Sequence, residues 1–344
     1  IIGFGFMGRT HTHGMINLPL YYDALPFRVK SISACRRDAT GRAEAERLGF
    51  FRKVTGDWRE IVADPEIDAV CISTPNACHK EQLLAAIAAE KHIYCDKPAV
   101  VSAAEAEEVL EALAGYRGKA QMVFHNRFFP ATMRAKALVE AGFLGRIYGY
   151  RTAYLHASSI DPAKPLSWKS TQALGGGGSL VDLGSHALDM MRWLVGDVVE
   201  IFAATETFIG ERMEAGSGAR KAVDTDDAAM MVVRHECGAM GTVEATKFAT
   251  GTCDELRFEI HGSLGAMRFN LMDPNWLEVY DLREAPEARG FRRLECLQQF
   301  PKPANGFPSP KASIGWIRAH LHCMYCFLES IALDKPASPS LEEG

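Results

Sequence analysis

Residues 175–194 read GGGGSLVDLGSHALDMMRWL, placing two carboxylates and an imidazole in an otherwise apolar run. At about 100° per residue, Asp182, His186 and Asp189 fall within an arc of roughly 60° on one helix face. Ser179 and Trp193 extend that line, while Leu180, Leu183, Ala187, Leu188, Met191 and Leu194 cover the other faces. Burying such a stripe is costly unless its members are paired or border a pocket. A second stretch with chemistry is Gly3-Phe4-Gly5-Phe6-Met7-Gly8, a G-x-G-x-x-G pattern between a strand signal and a helix signal. Glycines there permit a tight turn and let backbone N–H groups approach a pyrophosphate at a helix N-terminus. Alone the pattern is common; at the first strand of an alternating strand–helix series it marks a dinucleotide site.

The end of the second strand addresses the cofactor ribose. An NAD site usually places Asp or Glu there for the 2′-hydroxyl, whereas arginine suits a 2′-phosphate. In Ala34-Cys35-Arg36-Arg37-Asp38, Arg36 takes the acid's place, which favours NADP over NAD. The alternative is that Arg36 and Arg37 form a solvated turn and Asp38 reaches the ribose.

The elements that must position these groups change character along the chain. Residues 1–122 alternate strands (Ile1-Ile2, Val29–Ala34, Ala69–Ser73, His92–Cys95, Ala120–Phe124) with helices (Met7–Ile16, Arg42–Leu48, Lys80–Glu90, Ala103–Ala114). That alternation implies an α/β, doubly wound parallel sheet, an NAD(P)-binding Rossmann domain. Residues 123–344 read as a second, α+β domain with a large open, mainly antiparallel sheet. Its strands are Arg146–His156, Val198–Phe208, Ala228–Arg234, Ala239–Phe248, Glu255–His261, Ala266–Leu271 and Leu277–Tyr280. Loops at 157–178, 210–224 and 284–313 are candidates for substrate or subunit contacts. A last helix at about 316–333 is free to pack back on the first domain.

Composition sets the outer limits. The chain has 344 residues, is 47% hydrophobic and carries a formal charge of −5, which argues against a general nucleic-acid surface. No apolar run of about 18 residues suggests a membrane span. Nine scattered cysteines read as reduced thiols and point to the cytoplasm. His320-Leu321-His322-Cys323-Met324-Tyr325-Cys326 lacks the second ligand pair a zinc site needs, so no metal is expected. The opening IIGFGFMG looks like the second half of a strand, so residues are expected to precede it.

Four stretches in order resemble the Gfo/Idh/MocA oxidoreductases: the glycine loop extending to His11, STPNACH (73–79), YCDKPAV (94–100) and GGGGSLVDLGSHALD (175–189). HNRFFPA (125–131) and the closing P-x-x-P-S-L-E-E-G fit the same pattern. The family's usual Glu-Lys-Pro is Asp96-Lys97-Pro98 here, which keeps the charge and shortens its reach. The resemblance implies NAD(P)-dependent oxidation of a sugar or polyol hydroxyl, or the reverse reduction. It also implies homodimers or homotetramers built on the outer face of the open sheet.

The implied catalytic set is Lys97, Asp182 and His186. His186 would act as base, Asp182 would hold its imidazole, and Lys97, after a strand's carboxyl end, would bond the reacting oxygen. Asp182 has the alternative of capping the helix, and Asp189 that of a structural ion-pair partner. Ser73, Thr74, Pro75, Asn76, His79, Asp96 and Lys97 join Gly3, Gly5, Phe6, Met7, Gly8, Arg36 and Arg37 at the cofactor, with a turn cap as the alternative for Asn76. Asn126, Arg127, His156, Trp168 and Lys169 are candidates for the substrate, each of which could equally serve structure. Two other functions fit the same residues: redox-neutral glycoside cleavage through a transient keto sugar on tightly held NAD, and non-catalytic sensing of a dinucleotide or sugar.

Overall fold

The computed structural model describes residues 1–300 and 307–344; the 301–306 part of the loop expected at 284–313 lies outside them. The chain divides into two compact units, Ile1–His125 with Trp316–Gly344, and Asn126–Gly315. The second unit therefore stops short of the C-terminus, because the last helix and the closing segment are packed into the first.

In the first unit the elements run α1 (Phe6–Tyr21), β1 (Ile32–Cys35), α2 (Ala39–Arg47), β2 (Phe51–Thr55), α3 (Arg59–Val62), β3 (Ala69–Ile72), α4 (His79–Ala88), β4 (His92–Cys95), α5 (Ala103–Leu113) and β5 (Ala120–Met122). All strand pairs are parallel: β2 with β1, and β3 with β4 and β4 with β5. Ile2 bridges in parallel to both Cys35 and Ile72, joining the two halves into one sheet. The core is Ile2, Ile72, Leu83 and Ile93, each fully buried, as expected of strands covered on both faces. Ser340 bridges antiparallel to Gln121, and Leu341 is buried in this core. The β2 strand was not legible, since Phe51–Thr55 is short and carries Arg52 and Lys53.

The second unit opens with α6 (Pro130–Glu140), then β6 (Ile147–Leu155), α7 (Gln172–Gly175), α8 (Ser185–Val195), β7 (Val198–Glu206), β8 (Glu211–Met213), β9 (Arg220–Ala222), β10 (Ala228–His235), β11 (Met240–Thr246), β12 (Glu255–Gly262), β13 (Gly265–Asn270), β14 (Trp276–Asp281) and β15 (Arg292–Glu295). Eight of these strands form one sheet in the order β15-β14-β13-β12-β6-β11-β10-β7. Every neighbouring pair is antiparallel except β11 with β6. The β8–β9 hairpin occupies the expected 210–224 loop. On β10, residues alternate between buried and exposed from Ala229 onward, the mark of a sheet covered on one face. The final helix, α9 (Trp316–Ala332), belongs to the first unit, where Tyr325 stacks on Tyr22 with ring centroids 4.3 Å apart. The His320–Cys326 run lies within this helix as mostly buried packing. Among the described residues, no helix is long and apolar enough to cross a membrane.

Candidate active site

In the first unit the chain turns sharply from Ile2 into α1. Gly3 has φ +93°, and a Cβ there would lie 2.6 Å from Ser73 O, so a side chain is excluded by both conformation and space. Ser73 Oγ donates to Gly3 O at 2.7 Å, fixing the loop to the end of β3. Gly5 is the N-cap of α1, with no side-chain cap and no acid in the first turn. A helix start of this kind, with unclaimed N–H groups and a positive dipole end, suits an anion. The glycine loop therefore fits a dinucleotide pyrophosphate, with Phe6 exposed and Met7 partly buried beside it.

Arg36 follows β1. Its Nη1 donates to Phe4 O at 3.2 Å, and its Nε to Asp38. Asp38 also caps α2 by accepting from Gly41 N at 2.7 Å. That backbone hydrogen bond and the Arg36 contact hold the Asp38 carboxyl below its usual range, so it is ionised at neutral pH. Arg36, expected to be open to a phosphate, is thus tied back by a neighbouring acid, while Arg37 is exposed.

Asp96 and Lys97 follow β4. The shortened carboxylate of Asp96 is buried and lies 3.1 Å from His11 Nε2 on α1, which accounts for the resemblance extending to His11. His79 is fully buried; its Nδ1 is 2.9 Å from Pro98 O and its Nε2 3.0 Å from Thr74 O. Burial lowers its pKa, and the imidazole joins the Thr74 turn to the Lys97–Pro98 loop. Enclosed on all sides, the His79 side chain braces these two loops. Asn76 is buried at the start of a 3₁₀ turn, and Thr74 Oγ1 donates to Gln82 Oε1 at 2.7 Å.

In the second unit the 175–194 run is not one continuous α-helix. α7 ends at Gly176 in the left-handed region, a single π turn spans Leu180–Gly184, and only then does α8 begin. Gly178 makes this possible, since a Cβ there would fall 1.8 Å from Asp226 O. The Asp226 carboxylate accepts from Gly178 N at 2.8 Å and Leu180 N at 2.7 Å, docking the start of the turn. π turns of this kind are rare and cluster at functional sites.

The two carboxylates of the stripe take different partners. Asp182, in the π turn, receives Lys169 Nζ at 2.8 Å and Lys247 Nζ at 3.1 Å. Asp189 receives Arg127 through Nε, 3.0 Å from Oδ2, and through Nη2 on Oδ1. Both members of that pair are under a tenth exposed, and the guanidinium carbon sits 5.5 Å from the centroid of Trp193. Arg127, a substrate candidate with a structural role as its alternative, is the counter-ion of Asp189. His186, between them, is 4% exposed and lies 5.8 Å, centroid to centroid, from Tyr154. Tyr154 and His156 project from the helix-covered side of β6, where Tyr154 Oη donates to Asp254 Oδ1 at 2.7 Å and His156 Nε2 lies 2.9 Å from the same oxygen. Trp168 backs Lys169, whose Nζ is 5.5 Å from its ring, and Asn126 is buried.

Lys247, Asp226 and Asp254 were missed from sequence. Each is brought in by strand pairing or loop docking across tens of residues, which leaves no local signature.

Comparison with known proteins covers both units. A family model described as "Oxidoreductase family, NAD-binding Rossmann fold" matches residues 1–125. A second, described as "GFO/IDH/MocA C-terminal domain", matches residues 132–268. Levoglucosan dehydrogenase of Pseudarthrobacter phenanthrenivorans is 35% identical, over 100% of this chain and 91% of that protein. Myo-inositol 2-dehydrogenase of Thermotoga maritima is 30% identical over 77% of this chain and 72% of that protein. A structure of levoglucosan dehydrogenase in complex with NADH and L-sorbose superimposes with a TM-score of 0.95 at 35% identity, covering 99% of this chain and 90% of that one.

Proposed function

The chain belongs to the GFO/IDH/MocA family and is an NAD-binding oxidoreductase, and from that premise we propose that it moves a hydride between NAD(H) and a CH–OH group, or the matching carbonyl, of a sugar or polyol. The observation that carries this reading is the likeness along the whole chain to a sugar dehydrogenase solved with NADH and a sugar. When bound, nicotinamide accepts or supplies the hydride; the chain's own groups do the rest.

The first unit binds and orients. The uncapped α1 N-terminus and Gly3, Gly5 and Gly8 receive the pyrophosphate. Ser73, Thr74, Pro75 and Asn76 line the same carboxyl edge of the sheet, where open α/β folds bind their ligands. Asp38, ionised and beside Arg36, would repel a 2′-phosphate and accept from a 2′-hydroxyl, so NAD is the cofactor read from this geometry, in place of the NADP suggested by Arg36 alone. Lys97, after β4, supplies an ammonium to hydrogen-bond the reacting oxygen.

The second unit handles the proton. His186 takes the hydroxyl proton during oxidation and returns it during reduction. Asp182, held by Lys169 and Lys247, fixes the π turn that leads into the helix carrying His186. Arg127 and Asp189 lock the helix one turn beyond His186, which limits how far the imidazole can wander. The outer sheet face leaves Phe202, Met230 and Val232 exposed on adjacent strands, apolar where a solvated face would be polar, and a second copy of the chain is its expected cover.

The deciding experiment is a turnover screen of neutral sugars, polyols and inositols with NAD and NADP, read at the nicotinamide absorbance band. Reduction of NAD by at least one polyol, absent in Lys97→Met, supports the reading. Failure of the purified protein to bind NADH by fluorescence titration would sink it.

A further inference from the structure

Three polar groups of the second unit meet beside His186 without belonging to the proton machinery. Tyr154 lies in β6 and His156 follows just past its end, still paired through its N–H to Thr246 O, so the two side chains, two positions apart, leave the chain on the same face. β12 runs antiparallel to β6 with Glu255 opposite Leu155, which sets Asp254 opposite His156, one step beyond the last paired position. Directly opposed residues of an antiparallel pair share a face. The register therefore brings the Asp254 carboxylate under both side chains, where Oδ1 accepts from Tyr154 Oη at 2.7 Å and from His156 Nε2 at 2.9 Å.

The chemistry of this arrangement is specific. With Nε2 donating to a carboxylate, a neutral His156 keeps its proton on that nitrogen and offers Nδ1 as an acceptor. His156 Nδ1 makes no hydrogen bond among the described residues, and the His156 and Asp254 side chains are 24% and 38% exposed. Tyr154, by contrast, is buried; its ring lies 5.3 Å from His156 and 5.8 Å from His186. An open, acceptor-rich pair thus stands one aromatic ring away from the imidazole assigned to proton transfer. Acceptors in a row suit donors in a row, which is what the adjacent hydroxyls of a polyol present.

We propose that Asp254 and His156 form a hydroxyl-reading dyad that accepts hydrogen bonds from substrate hydroxyls other than the one oxidised, with Tyr154 fixing the dyad against His186. The inference rests on the dehydrogenase reading and names the feature of the substrate that the second unit recognises: neighbouring hydroxyls as donors. Asp254 is then a specificity residue. Its carboxylate matters most in binding, because hydrogen bonds to a charged acceptor are stronger than those to a neutral one.

The test uses the intact chain with NAD+ and the best polyol from the screen. Asp254→Asn should raise KM for that polyol by about tenfold or more, as expected for one charge-assisted hydrogen bond, with kcat and NADH affinity close to wild type. An analogue lacking the hydroxyl that is read should lose affinity for wild type and lose little more for Asp254→Asn, the non-additivity expected of partners in contact. Should the Asn variant fail to fold by circular dichroism, His156→Gln makes the same measurement from the other half of the dyad. An unchanged KM in a folded variant overturns the proposal. So does a fall in kcat with a displaced pH–rate profile, which would make Asp254 a positioning group acting through Tyr154 on His186. Wild type that binds no NADH would fail the dehydrogenase reading and the dyad with it, whereas active wild type with an indifferent Asp254→Asn fails the dyad alone.

Discussion

The two units build their functional groups by opposite means. In the first, the groups that would hold a ligand are backbone atoms: a glycine turn, the open N-terminus of α1 and the ends of parallel strands. Side chains there mostly brace loops, as His79 does between Thr74 and Pro98 and as His11 does on Asp96. In the second unit the candidate groups are side chains held by other side chains: Asp182 by two lysines, Asp189 by Arg127, Tyr154 and His156 by Asp254. A backbone cradle tolerates side-chain change and fails when a Cβ intrudes. A side-chain constellation fails residue by residue, and it leaves unpaired charges behind when it does.

The largest expected effect separates chemistry from scaffold. Lys97→Met and His186→Gln should each lower kcat/KM by about 10²–10⁴-fold, the usual contribution of a positioned acid–base group, and His186→Gln should leave NADH titrations like wild type. Steady-state rates alongside fluorescence titration measure both. A His186→Gln variant that lost cofactor affinity instead would erase the proposed division of labour between the units.

Next comes the buried ion pair. Arg127→Ala strands the Asp189 carboxylate and should cost about 3–5 kcal/mol of stability, read as a lowered urea midpoint. Replacing both partners, Arg127→Met with Asp189→Leu, should recover much of it, because no charge is then left unpaired. If the single variant melts like wild type, the clamp on α8 is not what holds that helix.

A smaller, pH-dependent effect should appear in the first unit. Burial keeps the pKa of His79 below its usual value, and those of His320 and His322 well below it. Unfolded, these imidazoles take up protons as pH falls through about 6.5, while the folded forms resist. Their contribution to stability is therefore present above that value and lost below it, by up to about 1.4 kcal/mol per pH unit for each histidine. Melting curves from pH 7.5 to 5.5 should show the decline, and His320→Phe should flatten it. A slope unaltered by that substitution would remove His320 from the account.

The smallest effect concerns cofactor choice. Asp38→Ala releases Arg36 and should move the NADP/NAD ratio of kcat/KM towards NADP by about tenfold, as for one ionic contact of roughly 1.4 kcal/mol. No movement would mean that Arg36 does not reach the ribose at all.

Much of this was readable before any coordinates. The G-x-G-x-x-G turn, the strand–helix alternation and the alternating β strands are local patterns, and local patterns survive in a linear string because backbone geometry imposes periods of 2 and 3.6. Boundaries were poorer where a short charged strand such as β2 carries no apolar alternation, or where α1 continues through Pro19 to Tyr21. The 175–194 run looked like one helix because its apolar spacing is helical throughout. Its π turn depends on Asp226, some fifty residues away, and on a glycine that admits that residue's backbone.

The order of residues was therefore enough to identify the kind of fold and the family's NAD-binding glycine loop. Only the tertiary structure decided how each charge is paired: that Asp189 answers Arg127, that Asp182 is shared by Lys169 and Lys247, that Asp38 restrains Arg36, and that Asp254 joins Tyr154 and His156. The physical reason is one of range. Propensity and periodicity act between neighbours in sequence, whereas the pairing that makes a buried charge affordable is chosen from whatever the folded chain brings within about 3 Å.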